Sequence, residues 1–315
     1  MPQIDILMAA YNGEKYIAEQ IDSILAQTFQ DFRLIIRDDG SSDNTPAIIA
    51  DYARKYPGKV EAVHDDVMCR SATRNFFQLL TYARADYVMF SDQDDVWLPE
   101  KIQVTYERMR QTEADNPGKP VLAFTGQKVV DAELKSLGKT YGVNTPQSRY
   151  SLRELIFCNC APGCTQMLNR KLVEIVDAED QKVREHVGLH DWWGMLCARA
   201  FGAIGHVNSP TMLYRQHSHN ELGAPVTQFR SILKFVMHPI KTYRASLRNF
   251  YDNGETLTFF IQKYRDKLSP EQLAIIGEHL KLFSRNRITR VMTYCRLYKA
   301  APLLRIKFIM KLLVA

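Results

Sequence analysis

The first hundred residues alternate between short apolar segments and amphipathic segments, and this alternation constrains the fold more than any other feature. Strands are predicted at residues 4–9, 32–36, 60–63 and 87–90, and helices at residues 14–27, 45–56 and 73–84. Strands separated by helices of this length are joined by parallel crossovers. The sequence therefore predicts an α/β fold with a mostly parallel sheet flanked by helices.

Polar loops follow the first, second and fourth predicted strands, at residues 11–13, 38–40 and 91–95. The first two are ordinary when taken alone, because Asn-Gly and Asp-Gly are common turn dipeptides. The carboxyl ends of parallel strands, however, meet at one edge of a sheet, and ligands bind there. The convergence of three such loops predicts a ligand site at this edge.

The third loop places Asp92, Asp94 and Asp95 within four residues. Mutual repulsion makes such a cluster unfavourable unless a cation neutralises it. Oxygen ligands in an Asp-x-Asp arrangement suit Mg²⁺ or Mn²⁺ held between protein and phosphate. The alternative is a solvated turn that precedes a helix beginning near Pro99.

Five motifs in this order resemble glycosyltransferase family 2, whose fold is the Rossmann-like GT-A fold. They are residues 8–13 (MAAYNG), 23–28 (SILAQT), 38–43 (DDGSSD), 92–97 (DQDDVW) and 190–193 (HDWW). The resemblance extends over about the first 225 residues. The last two motifs together are similar to a bacterial rhamnosyltransferase branch that builds cell-wall or O-antigen polysaccharides.

The resemblance implies a nucleotide-sugar site, which is formed by Ala10, Tyr11, Asn12, Glu14, Asp39, Arg74 and Asp92. Within it, Asp39 reads the pyrimidine base and Asp92 approaches the ribose. Arg74, chosen over the nearby Arg70, faces the nucleotide or its diphosphate. Tyr11 is either a packed aromatic or a surface on which a base stacks.

The resemblance also implies that Asp94 and His217 hold the metal, Mn²⁺ or Mg²⁺, and that Asp191 is the general base. A poorly solvated carboxylate has a raised pKa, which suits a base working near neutrality. The alternative for Asp191 is the N-cap of the helix predicted at residues 192–201. One base without a second catalytic carboxylate suggests direct displacement with inversion.

The acceptor side is predicted to include Cys164, Trp192 and Trp193, and the two tryptophans would shield Asp191 from water. His190 is interpreted as an orienting or structural residue, with catalysis as the alternative. Arg215 is a further candidate for offsetting charge on the leaving diphosphate. The three neighbouring cysteines Cys158, Cys160 and Cys164 lack a Cys-x-x-Cys pair, which favours reduced thiols over a zinc site.

Charge divides the chain into two predicted regions. Residues 1–225, the predicted GT-A domain, carry 24 Lys and Arg against 30 Asp and Glu. Within them, residues 1–100 would bind the nucleotide and residues 101–225 the acceptor, with a polar loop at 138–150. Residues 226–315, a predicted helical extension, carry 17 against 5, a net charge of +12, and a helix start is predicted at residues 269–272 (SPEQ).

The basic extension is predicted to contain two helices over residues 285–315, broken near Pro302, with basic and apolar side chains mixed. This composition favours contact with an anionic membrane surface. Packing on the catalytic domain, a homodimer interface and nucleic-acid binding are the alternatives. Nucleic acid is disfavoured because the acidic half would repel phosphates and no recognition motif is visible.

Together these features predict an inverting transferase that moves L-rhamnose from dTDP-L-rhamnose onto a lipid-linked glycan acceptor. No signal peptide is expected, since the first strand begins at residue 4, and no apolar run approaches the roughly 20 residues that span a bilayer. The predicted location is cytoplasmic, peripheral on the inner face of the plasma membrane. The alternatives are a transferase of the same fold using a UDP-hexose, and a membrane-bound scaffold without catalysis.

Overall fold

The computed structural model describes residues 2–146, 150–157, 159–217 and 239–283, together with residues 286, 288–289 and 292–293. These residues form two compact units. The first contains the whole β-sheet, and the second contains residues 186–188 and the helices found after residue 238.

The first unit is built on a nine-stranded sheet. Its strands are β1 (Ile4–Ala10), β2 (Phe32–Asp38), β3 (Val60–Val63), β4 (Tyr87–Asp92), β5 (Val96–Trp97), β6 (Val121–Val130), β7 (Ser136–Tyr141), β8 (Gln166–Asn169) and β9 (Ala203–Arg215). The order is β3-β2-β1-β4-β8-β6-β9-β5, and β7 pairs with β6. The accompanying helices are α1 (Ile17–Leu25), α2 (Thr45–Lys55), α3 (Ala72–Leu80), α4 (Lys101–Asp115), α5 (Leu152–Leu155), α6 (Arg170–Val176), α7 (Gln181–His186) and α8 (His190–Phe201).

The predicted parallel half of the sheet is confirmed, since β1 pairs in parallel with both β2 and β4, and β2 with β3. Residues of β1 are buried on both faces of the sheet, which explains its near-continuous apolar sequence. The exception is Asp5, which is fully buried and forms a two-pronged ion pair with Arg33 on β2, at 3.0 Å for each bond. The backbone N–H groups of Arg84 and Ala85 also donate to Asp5, so this buried charge is well compensated.

The other half of the sheet is mixed. β8 runs antiparallel to β4 and β6, whereas β6 and β9 are parallel. The two-residue strand β5 pairs antiparallel with β9, opposite residues 212–213. Because β5 directly follows the acidic loop, this pairing brings residues 92–95 beside the end of β9 and the residues after it.

The predicted polar loop over residues 138–150 is wrong at its start. β7 continues to Tyr141, which pairs with Gln127 on β6. The glycines that suggested a loop, Gly138 and Gly142, do have positive φ values of 67° and 69°. The edge of β6 nevertheless supplies backbone partners, and backbone hydrogen bonds do not require apolar side chains.

The second unit contains α9 (Pro239–Tyr264) and α10 (Pro270–Leu280). The predicted start of α10 is confirmed by a capping box, in which Gln272 N donates to Ser269 Oγ and Ser269 N donates to Gln272 Oε1. In the part of the chain that the structure describes, no helix is long and apolar enough to cross a membrane. The helices predicted over residues 285–315 lie outside the described residues, apart from a few isolated positions.

Candidate functional site

The turn after β1 and the turn after β2 are tied together by hydrogen bonds. Asn12 N donates to Ser41 Oγ at 2.7 Å, and Ser42 N donates to Asn12 Oδ1 at 2.8 Å. Asn44 N donates to the Glu14 carboxylate at 2.9 Å. Two residues predicted for the nucleotide site, Asn12 and Glu14, therefore fix the shape of this sheet edge.

Tyr11 is joined to the acidic loop through the side-chain amide of Gln93. Tyr11 N donates to Gln93 Oε1 and Gln93 Nε2 donates to Tyr11 O, both at 2.8 Å. A Cβ at Gly13 would overlap this amide, so the close approach requires glycine. The Tyr11 side chain is 58% exposed, which rules out the packed-aromatic alternative. Ala10 is buried and presents its carbonyl to Asp39 N, so its side chain has little open surface.

Arg37 lies at the centre of a buried charge network behind the end of β2. Its guanidinium is 1% exposed and donates to Asp39 Oδ1 at 3.1 Å and to Asp65 Oδ1 at 2.7 Å. The hydrogen bonds from Arg37 lower the pKa of Asp65 to about 2, against the opposing effect of burial. Asp39 also accepts from Cys69 N at 2.7 Å and Arg70 N at 2.6 Å. Most acceptor positions of Asp39 are thus used by the protein, and its contact with a base stays a prediction.

Two further predicted donor-side residues border the same edge. Asp92 is the last residue of β4 and is half-buried, while Arg74 is exposed in the first turn of α3. Arg70, the alternative to Arg74, is also exposed, and its left-handed backbone, with φ 52°, lies in the loop held by Asp39. Both arginines therefore border the loop region, and their contact with a diphosphate stays a prediction.

The predicted metal ligands Asp94 and His217, which are 123 residues apart, are in contact. His217 Nε2 and Asp94 Oδ2 are 2.8 Å apart, and their side chains are 11% and 16% exposed. The His217 ring stacks on Tyr16 with centroids 4.9 Å apart. Arg215 Nε donates to Asp94 O at 2.8 Å, and its guanidinium also bonds Glu19. Arg215 thus supports the Asp94–His217 pair with donors directed at the protein, unlike its predicted role towards the diphosphate.

Asp92, Asp95 and Cys164 form an adjoining cluster whose potential ligand atoms lie within 4.8 Å of one another. Asp95 is fully buried; its Oδ1 accepts from Arg215 N at 3.1 Å, whereas its Oδ2 has no hydrogen-bond partner among the described residues. Burial and the charges of Asp94 and Asp92 raise the pKa of Asp95 well above its usual range.

These two groups of ligands fit a divalent cation. Carboxylates and an imidazole suit Mn²⁺ or Mg²⁺, and the buried, unpartnered Asp95 Oδ2 is the kind of atom that a nearby positive charge would satisfy. Residues Asp92, Asp94 and His217 offer the more accessible ligand atoms, since Asp95 and Cys164 are buried.

Asp191 is held at the start of α8 by backbone donors. Its Oδ2 accepts from Gly163 N at 3.1 Å and its Oδ1 from Trp192 N at 2.6 Å. Burial raises the pKa of Asp191 to about 6, although these donors and the Asn159 side chain act in the opposite direction. The N-cap interpretation is wrong, because α8 begins at His190 and Leu189 occupies the cap position. Asp191 is thus a desolvated carboxylate in the first turn, with a pKa suited to a general base.

His190 packs between aromatic rings. Its ring stacks on Phe76 at 4.2 Å and meets Phe90 edge-on at 4.9 Å. Both ring nitrogens are buried without a partner in the described part of the chain, and burial lowers the pKa of His190 to about 3. A Cβ at Gly163 would lie 2.6 Å from His190 Nε2, so the neutral imidazole packs against the turn that binds Asp191. This geometry favours the orienting role.

The predicted acceptor residues are all buried. Trp192 Nε1 donates to Leu155 O at 2.6 Å, and Trp193 Nε1 donates to Val176 O at 3.1 Å. Cys164 is 2% exposed, and the charges of both Asp92 and Asp191 act on its thiol. Cys164 therefore lies near both the Asp92–Asp95 cluster and Asp191. Among the described cysteines, Cys69, Cys164 and Cys197 are buried and Cys160 is half-buried, while Cys158 and Cys295 lie outside the described residues.

Sequence reasoning missed several residues of the site. Gln93 belongs to the acidic motif and was visible as a neighbour of the predicted ligands. Gly163 and the Arg37–Asp65 pair join segments that are 28 residues apart along the chain. A sequence pattern gives no signal for such pairings.

The chain is similar in sequence to known glycosyltransferases. The family model of glycosyl transferase family 2 matches residues 5–175. A dTDP-rhamnosyl transferase, RfbG of Shigella flexneri, is 30% identical over 227 residues, which is 70% of this chain and 75% of that protein. A UDP-Glc:alpha-D-GlcNAc-diphosphoundecaprenol beta-1,3-glucosyltransferase, WfgD of Escherichia coli, is 30% identical over 34% of this chain and 40% of its own length.

Solved structures show the same fold at low sequence identity. TarS 1-349 of S. aureus in complex with UDP has a TM-score of 0.54 at 15% identity, covering 99% of this chain and 90% of that one. The mannosyltransferase PcManGT from Pyrobaculum calidifontis, in complex with GDP-Man and Mn²⁺, has a TM-score of 0.52 at 16% identity. That match covers 98% of this chain and 79% of the mannosyltransferase.

Proposed function

The chain belongs to glycosyltransferase family 2 and is a glycosyltransferase with the GT-A fold, and on this premise we propose that it transfers L-rhamnose, with inversion, from dTDP-L-rhamnose to a lipid-linked glycan. The observation that carries the reaction is Asp191, a half-buried carboxylate at the start of α8 whose pKa is raised to about 6. The similarity to a dTDP-rhamnosyl transferase supports the donor.

In the proposed reaction, Asp191 accepts the proton of the acceptor hydroxyl as its oxygen attacks the anomeric carbon of the donor. The bond between that carbon and the diphosphate oxygen breaks, and its electron pair leaves with dTDP. A single displacement of this kind inverts the anomeric configuration. Burial keeps Asp191 basic enough to take the proton, and the Gly163 and Trp192 N–H groups fix its orientation.

On the donor side, Tyr11, Asp39 and Asp92 would bind the nucleoside, and Asp94 and His217 would hold Mn²⁺ or Mg²⁺. When bound, the cation neutralises charge on the leaving diphosphate. Support comes from the 2.8 Å contact between Asp94 and His217 and from their partial exposure beside the sheet edge. Arg74 would add positive charge at the same edge.

The proposed acceptor is a glycan carried on a lipid diphosphate, which would place the enzyme at the cytoplasmic face of a membrane. Support comes from the name of the related glucosyltransferase and from the net charge of +12 in residues 226–315. Each basic residue near an anionic surface contributes about 1 kcal/mol. We expect the full chain to sediment with anionic liposomes at low salt, and the chain ending at residue 284 to stay in solution. Failure of the full-length protein to sediment with anionic liposomes would exclude this membrane role.

A transfer assay with Mn²⁺ and a panel of donors tests the function: dTDP-L-rhamnose, UDP-glucose, UDP-GlcNAc and GDP-mannose, each with lipid-diphosphate-linked acceptors. The proposal expects the fastest transfer from dTDP-L-rhamnose. Faster transfer from UDP-glucose would establish the second candidate, a UDP-hexose donor, which the related glucosyltransferase favours. A chain that bound a donor yet transferred to no acceptor would support the scaffold alternative.

A further inference from the structure

Exposed apolar side chains gather beside the predicted donor site. In the first unit, the large hydrophobic side chains that are strongly exposed among the described residues are Tyr11 (58%), Val67 (47%), Met68 (59%) and Leu137 (48%). Three of these four follow β1 or β3, two strands separated only by β2 in the sheet. Exposed apolar side chains that follow nearby strands at this edge are candidates for contact with a bound ligand.

The backbone of the loop carrying Val67 and Met68 is hydrogen-bonded to two buried charged side chains. The carbonyl of Val67 accepts from Arg37, and the two residues after Met68, Cys69 and Arg70, donate their N–H groups to the buried carboxylate of Asp39. Bonds to buried charged groups are among the strongest in proteins. The loop is therefore anchored on both sides of Met68, and its exposed side chains are set by the fold.

Met68 is also fixed in position relative to Asp39. A Cβ at Gly40 would lie 2.7 Å from Met68 Sδ and 3.0 Å from its Cε, so the thioether lies against the backbone of Gly40. Gly40 has φ 85°, a conformation that favours glycine. The apolar surface of Met68 thus adjoins the residue that is predicted to contact the nucleobase.

We propose that Val67 and Met68 form an apolar wall for the donor nucleobase, and that Met68 contacts the 5-methyl group that distinguishes thymine from uracil. This inference rests on the proposed dTDP-sugar donor and assigns the selectivity for its base. Methionine suits the role because its flexible, polarisable thioether adapts to small apolar groups and to ring edges.

Calorimetric titration of the full chain with dTDP, dUDP and UDP in the presence of Mn²⁺ tests the assignment. dTDP and dUDP differ only in the methyl group, whereas dUDP and UDP differ only in the 2′-hydroxyl. Burial of one methyl-sized group at ~0.8 kcal/mol corresponds to an approximately fourfold preference of the wild type for dTDP over dUDP.

Met68→Ala should reduce this preference to near unity while leaving dUDP binding within about twofold, and Met68→Leu should keep most of it. Leu137→Ala is the matched control, because Leu137 is similarly exposed but lies on β7, whose partner β6 is separated from β3 by four strands of the sheet. It should leave both affinities unchanged.

Equal wild-type affinities for dTDP and dUDP would overturn the assignment, as would an undiminished preference in Met68→Ala. Either result would leave the proposed transferase standing, since a nucleotide still binds. Failure of the wild type to bind any of the three nucleotides would instead overturn the proposed donor, and this inference with it.

Discussion

Two regions of the molecule shift the pKa of an aspartate in opposite directions. Behind the donor edge, the Asp65 side chain is paired with the buried Arg37 guanidinium, which lowers the pKa of Asp65 to about 2. At the start of α8, Asp191 is half-buried beside backbone donors and a neutral His190, and desolvation raises its pKa to about 6. The same chemical group is strongly acidic in one place and basic in the other.

These shifts distinguish a carboxylate that stabilises the fold from one whose pKa suits proton transfer. Behind the end of β2, ion pairs and backbone hydrogen bonds satisfy Asp39 and Asp65, so these charges fix loops and gain stability from their partners. In the Asp191 pocket no cation is paired with the carboxylate in the described structure, and its ionised form is disfavoured. Carboxylates that are held in this way are candidates for proton transfer.

The largest expected effect comes from removing the base. Asp191→Asn keeps the side-chain size but abolishes the carboxylate, so turnover should fall by roughly 10²–10⁴-fold, the usual contribution of a positioned general base. Transfer from dTDP-L-rhamnose is the measurement, with donor affinity determined in parallel. Donor affinity should change little. Turnover within a few-fold of the wild type would place the base elsewhere, with His190 the next candidate.

A second prediction tests whether the donor edge holds a cation. Asp94→Ala removes one carboxylate and leaves His217 without this partner, so Mn²⁺-dependent binding of dTDP should weaken by about 10²-fold, since the loss of an outer-shell partner of a metal ligand already costs about 10–100-fold. Titration with and without Mn²⁺ measures it. Asp86→Ala is the control, because Asp86 is an exposed acid at the opposite end of β4. Wild-type affinity in Asp94→Ala would exclude Asp94 as a ligand.

A third prediction concerns stability and the Arg37 network. The lowered pKa of Asp65 means that its ionised form contributes stability above its ordinary pKa, which is lost as pH falls through about 2. Asp65→Asn should therefore lower the free energy of unfolding by about 2 kcal/mol at pH 7 and by much less near pH 2. Denaturant unfolding at both pH values checks this.

Asp51→Asn provides the contrast for that experiment. Asp51 pairs with Arg54, but both side chains are well exposed, at 69% and 81%. Exposed pairs of this kind contribute about 0–1 kcal/mol. Equal losses in the free energy of unfolding for Asp65→Asn and Asp51→Asn would show that the buried Arg37 network contributes no more stability than an exposed ion pair.

A fourth prediction concerns the pH profile of the reaction. Because Asp191 must be ionised to accept a proton, kcat/KM should rise about tenfold per pH unit below its pKa and level off above about 6. The slope should disappear from the residual activity of Asp191→Asn. A profile in which the acid limb persists unchanged in that variant would assign the titration to another group.

The local sequence was sufficient for much of the fold. The alternation of apolar and amphipathic segments predicted the first four strands and three helices, because burial between helical layers imposes its own residue pattern. The start of α10 was also predictable from the sequence, because its capping box involves only Ser269 and Gln272. The segment 138–141 was mispredicted because its strand is held by the edge of β6 and not by its own side chains.

The amino-acid sequence by itself determined the order of the first four strands and three helices, and the family to which the chain belongs. Only the tertiary structure decided their environments. It brought His217 to Asp94 through the pairing of β5 with β9, closed Asp39 and Arg37 onto a loop that exposes Met68, and desolvated Asp191 against the Gly163 turn. The reason is physical: periodicity is a local property of the chain, whereas solvation and charge pairing depend on residues that meet only after folding.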